Sequence, residues 1–167
     1  MYDLDYEFVS GGISGAITDP NSRRALEHAE KFYAFIRNTQ SDIPKIAENT
    51  NFTVEQVIMI KNFLFIDKHN LDGEIRLFDA SFEIAQSWQR LAFMPDKIQP
   101  HDITLLNHEL MEMRLMNDGL SQQEAHNFTE KKYNYTKESD LYYQGLLSNN
   151  TDQHSQTSGA ILRKITH

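Results

Sequence analysis

The stretch His101-Asp102-Ile103-Thr104-Leu105-Leu106-Asn107-His108-Glu109-Leu110-Met111-Glu112 concentrates the groups in this chain best suited to chemistry. On a helix, positions 101, 105, 108 and 112 form one stripe, because they are spaced by four, three and four. His108 and Glu112 stand one turn apart on it. Such a pair can chelate one ion, or hold a carboxylate against an imidazole. Glu109 lies about a quarter turn away, beside Asp102 and Met113. A following helix carries His126, and the short connection between the two predicts antiparallel packing that brings His126 to His108 and Glu112.

Two chemistries fit these residues. In one, His108, Glu112 and His126 bind zinc or another divalent metal while Glu109 handles a proton, leaving open positions for water and substrate. The run His108-Glu109-Leu110-Met111-Glu112 has the order of the zinc-peptidase HExxH, with Glu112 in place of the second His. In the other there is no cofactor: His108 and His126 act as general base and acid, and Glu109 or Glu112 orients an imidazole, an arrangement suited to cleaving RNA. A His and a Glu at this spacing are equally an ordinary helix-surface pair, worth ~0.2–0.5 kcal/mol. Trp88 with Arg90 reads as a stacking platform or as a buried anchor. His69 lies in a turn.

Composition bounds these readings. The 167 residues suffice for one domain. With 24 acidic and 16 basic residues the net charge is −8, and no basic block stands out, which argues against wrapping duplex DNA by bulk charge. There is no cysteine, so disulfides, thiolate metal sites and a Cys nucleophile are excluded. No apolar run reaches the ~18 residues of a membrane span.

The elements that must position the site follow from periodicity and caps. Leu26, Ala29, Phe32, Tyr33 and Ile36 predict a helix over 21–39. A short helix is expected at 43–49. Thr53 and Gln56 form a capping box before Val57, Ile58 and Ile60. Residues 67–79 read as a turn with extended chain, at most a minor hairpin. Asp79 is the expected cap of a helix at 80–93, and Asp102 that of a helix at 103–117 stopped by Asn117, Asp118 and Gly119. Ser121 and Glu124 cap the helix carrying His126, and a last helix is expected at 137–147. The expectation is an all-α, single compact domain of five to seven helices: a flexible lead-in at 1–18, the helical domain at 19–147, and a polar low-complexity tail at 148–167, mobile or disordered over 148–159. Ala47, Asn51 and Val57 also match a helix-turn-helix, but its reading helix offers Thr53, Glu55, Gln56 and Lys61 and no Arg.

The order of these blocks resembles a known group. Ile46-Ala47-Glu48-Asn49-Thr50, Phe65-Ile66-Asp67-Lys68-His69, Phe78-Asp79, Gln86-Ser87-Trp88-Gln89-Arg90-Leu91, Asp102 to Leu110 and Glu124-Ala125-His126 are similar to C-terminal modules of bacterial polymorphic toxins: contact-dependent inhibition, Rhs-type and phage minor-head-associated proteins. The resemblance spans roughly residues 11–140. It implies an antibacterial effector, secreted as part of a larger protein, acting in the cytoplasm of the target bacterium and neutralised by a cognate immunity protein. Residues matching its blocks are His69, Arg76, Trp88, Arg90, Asp102, His108, Glu109, Glu112 and His126. The resulting expectation is a hydrolase, with RNA as the favoured substrate. His108, Glu109, Glu112, His126 and Asp102 would be catalytic, and Arg76, Trp88, Arg90 and His69 would hold substrate, with a host factor offsetting the chain's acidity. A metal-dependent hydrolase or peptidase, and a non-enzymatic phage structural or adaptor module, are the alternatives.

Overall fold

A computed structural model describes residues 17–163, with side chains described through residue 149. The expected lead-in lies almost wholly outside these residues. The order is α1 (Arg23–Asn38), α2 (Asp42–Asn49), α3 (Val54–Lys61), a π-helical turn (Asn62–Ile66), β1 (His69–Leu71), β2 (Glu74–Arg76), α4 (Phe82–Phe93), a 3-10 turn (Pro95–Lys97), α5 (Pro100–Asn117), α6 (Gln122–Glu130) and α7 (Tyr135–Arg163). The all-α expectation holds: seven α-helices and a single two-stranded antiparallel hairpin among the described residues. No helix among them is long and apolar enough to cross a membrane.

Local chemistry explains most boundaries. The Thr53/Gln56 and Ser121/Glu124 capping boxes form as expected. Gly119 ends α5 at φ 107°, a conformation that favours glycine. Two caps differ from expectation. Ser81, not Asp79, caps α4, its Oγ accepting from the Ile84 amide at 3.3 Å, because Asp79 is taken by Arg76 at 3.0 Å. Helix α5 starts at Pro100, before Asp102: proline suits the first helical position, having no amide to leave unpaired, and Asp102 reaches back from the third to accept from the Gln99 amide at 2.8 Å. The polar stretch 148–159, expected as a loop, continues α7.

The core is built on Phe32, Ile36, Ile60, Phe65, Phe82, Trp88, Leu91 and Leu106, all essentially inaccessible to water. Two buried ion pairs cross it. Asp42 of α2 accepts from Lys61 Nζ of α3 and from Trp88 Nε1 of α4, both at 2.9 Å. Arg90 of α4 donates to both Asp102 carboxylate oxygens of α5, at 2.9 and 2.8 Å, and its guanidinium lies 5.4 Å from the Tyr142 ring of α7. The π-helical turn hydrogen-bonds Asp67 N–H to the Asn62 carbonyl at 2.8 Å. Two of its carbonyls serve neighbours: Phe63 accepts from His69 Nε2 and Phe65 from Arg37 Nε, each at 2.7 Å.

Removing one partner of such a pair strands a buried charge. Asp102→Ala is therefore expected to lower unfolding stability by ~3–5 kcal/mol in urea titration. Replacing Arg90 and Asp102 together by apolar residues of similar volume should cost far less.

Candidate functional site

The stripe expected on α5 faces inward. His101, Leu105, His108 and Glu112 are all buried, and so is Glu109. Helices α5 and α6 pack together in antiparallel register, since Glu112 meets both Gln122 and His126. That brings together the histidines and carboxylates expected to meet: His108, Glu109, Glu112 and His126.

Glu112 is the hub. Its Oε2 accepts from His108 Nε2 at 2.9 Å and from His126 Nδ1 at 3.1 Å, and its Oε1 accepts from Gln122 Nε2 at 3.0 Å. One ligand atom from each of His108, Glu112 and His126 lies within 4.8 Å of the others. The far side of every one of these groups is held. His108 Nδ1 donates to the Tyr133 carbonyl at 2.8 Å, which places a proton there, since a carbonyl only accepts. His126 Nε2 lies 3.3 Å from Glu130 Oε1. Metal-ligating histidines and carboxylates characteristically carry such outer partners, which fix the ring tautomer and orientation.

The electrostatics follow from burying acids beside imidazoles. Burial by itself would lower the His108 pKa, but the hydrogen bond with Glu112, aided by the Glu109 charge and the Tyr133 carbonyl, raises it to about 9. His126 is raised too, by its bond with Glu112. Burial would raise Glu112, yet its bonds from His108, His126 and Gln122 prevail and lower it to about 2. For Glu109, burial and then the neighbouring Glu112 charge outweigh the pull of His108 and His126 and push it up to about 8. The metal-free cluster thus favours protons on the histidines and on Glu109, around the readily ionised carboxylate of Glu112. A cleft of ≈ 200 Å³ opens onto His108, Glu109 and His126, and its rim carries the carboxylates of Glu83 and Asp140.

The other expected site residues are placed elsewhere. Trp88 is wholly buried against Asp42 and presents no stacking face. Arg90 and Asp102 saturate each other in the interior, so neither can hold a phosphate or move a substrate proton. His69 is a pin of the hairpin, with its ring 4.7 Å from Phe63 and 4.4 Å from Phe78. Arg76 is accessible and lines a different, larger groove. Lys61, the single base of the would-be DNA-reading helix, is buried on Asp42, which removes that reading.

Sequence reasoning missed Gln122, Glu130 and the Tyr133 carbonyl. The first two were detectable, standing four residues before and after His126 on its helix. The carbonyl carries no side-chain signature. No family model matches this chain, and neither a curated protein nor a solved structure does.

The pKa shifts fix a pH dependence for the metal-free protein. His108 and Glu109 are raised, so their contribution to stability is full below their unfolded values and is lost as pH rises through about 9 and about 8. Glu112 is lowered, so its contribution is full above its unfolded value and is lost as pH falls towards about 2. Thermal melts in chelator should show site-dependent stability peaking near pH ~5 and declining to pH ~9. Glu109→Gln should flatten the alkaline decline. An unchanged slope would show that Glu109 is not the buried acid described.

Proposed function

We propose that this chain is a divalent-metal-dependent hydrolase whose ion is held by His108 Nε2, Glu112 and His126 Nδ1, and that it serves as an antibacterial effector domain. The observation that carries the metal reading is the double set of contacts. Each candidate ligand turns one face to a common point and has its other polar atom held by a carbonyl, an amide or a carboxylate. An ordinary helix-surface pair has no need of those outer partners.

The donor set fits the chemistry. Two imidazoles and a carboxylate suit zinc and leave a position for water. A divalent ion there polarises the scissile carbonyl or phosphoryl group and acidifies its water. Glu109 follows ligand His108 in the chain and faces the same cleft; a bound dication would favour its ionised form, and the carboxylate would then accept the water's proton and pass it to the leaving atom. Binding the ion releases the protons that the histidines share with Glu112, because a metal ligand must offer its lone pair. The metal-free alternative is less well supported: His108 and His126 are tied to the same carboxylate, which favours the proton-bearing form of each over the free base. The effector role rests on the resemblance of the sequence blocks to toxin modules, with a cognate immunity protein as the expected partner.

Zinc titration by calorimetry should give one site per chain. His108→Ala should abolish it, and Gln122→Ala should weaken it by ~10–100-fold. Induced in a bacterium lacking a protective partner, the wild-type chain should arrest growth, and His108→Ala and Glu109→Gln should restore it. Normal growth with the wild type would contradict the effector role, and absence of zinc binding would contradict the metal centre.

A further inference from the structure

A second concavity, of ≈ 440 Å³, is lined by Arg37, Lys68, Arg76, Glu30, Asp79 and Ile75. Its three cations come from α1, from the residue before the hairpin, and from β2. Two of these cations stand apart from the acids around them. Asp79 and Glu74 both contact Arg76, but Arg37 and Lys68 have no carboxylate partner among the described residues.

Arg37 is pre-set. Its Nε donates to the Phe65 carbonyl at 2.7 Å and its guanidinium lies 5.9 Å from the Tyr33 ring centre, so its planar fork is held before any ligand arrives. The wall between the cations is apolar: Leu77 lines it, and Ile75 is 64% exposed although it sits in a strand. Consecutive residues link the groove to the His108 cleft. Ala80 lines one and Ser81 the other, while Tyr33, in the groove wall, lies against the Ser81 backbone and feels the charge of Glu109.

We infer that this groove is the substrate-binding track of the site, and that it seats the phosphates of a single-stranded nucleic acid. The chemistry of the walls selects it. Guanidinium and ammonium groups interleaved with apolar side chains match a strand that alternates phosphates with unstacked bases. An acidic peptide would match the cations but would leave Ile75 and Leu77 uncovered. Single strands also suit an acidic protein, because a few placed contacts suffice where duplex wrapping would need a broad basic surface. The inference rests on the hydrolase reading for the reaction that follows binding, while the binding itself does not require the metal.

The test is fluorescence anisotropy of a labelled twelve-nucleotide RNA with the full chain, chelator present to stop turnover, at several salt concentrations. The wild type should bind, and Lys68→Ala with Arg76→Ala should weaken binding by about tenfold or more and reduce the salt slope by about 1.4, for two lost phosphate contacts. Lys68→Glu alone should weaken it as well, and this change disturbs none of the fold's hydrogen bonds. Arg23→Ala, remote on α1, should bind as the wild type does. Equal binding by the groove variants, no binding by the wild type, or displacement by polyglutamate as effective as by RNA would overturn the inference. Zinc binding intact with RNA indifferent to the groove removes the groove alone. Groove-dependent RNA binding without a zinc site removes the hydrolase reading alone.

Discussion

The buried carboxylate of Glu112 is the interaction on which the site depends. An ionised acid taken out of water needs several donors, and this one has three: two imidazoles and an amide. Meeting that need sets the register of α5 against α6, because His108 and Glu112 come from one helix and Gln122 and His126 from the other. It also sets the ring of His108, whose second nitrogen must then find the Tyr133 carbonyl beyond α6. One desolvated charge thereby orders two helices and the segment that leads into α7.

Two carboxylates, Asp42 and Asp102, are buried away from the site, and the contrast is informative. Asp42 is paired with Lys61 and Asp102 with Arg90. These pairs are framework: they tie α2, α3, α4 and α5 together and leave nothing exchangeable. Glu112 is instead met by hydrogen bonds from two imidazoles, whose protons the proposed metal would displace. The neighbouring Glu109, left with no cation of its own and kept protonated by burial, completes a cluster whose charge can be rearranged. Chemistry belongs where the compensation is removable.

Periodicity and caps made the helices legible, since the apolar stripe of α1 and the capping boxes at Thr53 and Ser121 are local features. The site core was legible for the same reason: His108, Glu109 and Glu112 share one helix, and a short loop forces His126 near. Trp88 is the buried anchor that the sequence allows, but the burial of Arg90 and Asp102 was not legible, because a charged residue on an amphipathic helix looks alike whether it meets solvent or a buried partner. Only tertiary packing supplies Asp42 to Trp88 and Asp102 to Arg90. The Arg37, Lys68 and Arg76 groove was invisible because its residues are scattered through the chain and converge only after the π-helical turn positions the hairpin.

X-ray absorption at the zinc edge of the metal-loaded chain tests the account most directly. It predicts two imidazole nitrogens at about 2.0–2.1 Å and carboxylate or water oxygen at about 2.0–2.2 Å. The imidazole signal should fall to one ring in His126→Ala. A spectrum with oxygen ligands alone, or one unchanged by removing His126 or His108, would contradict it.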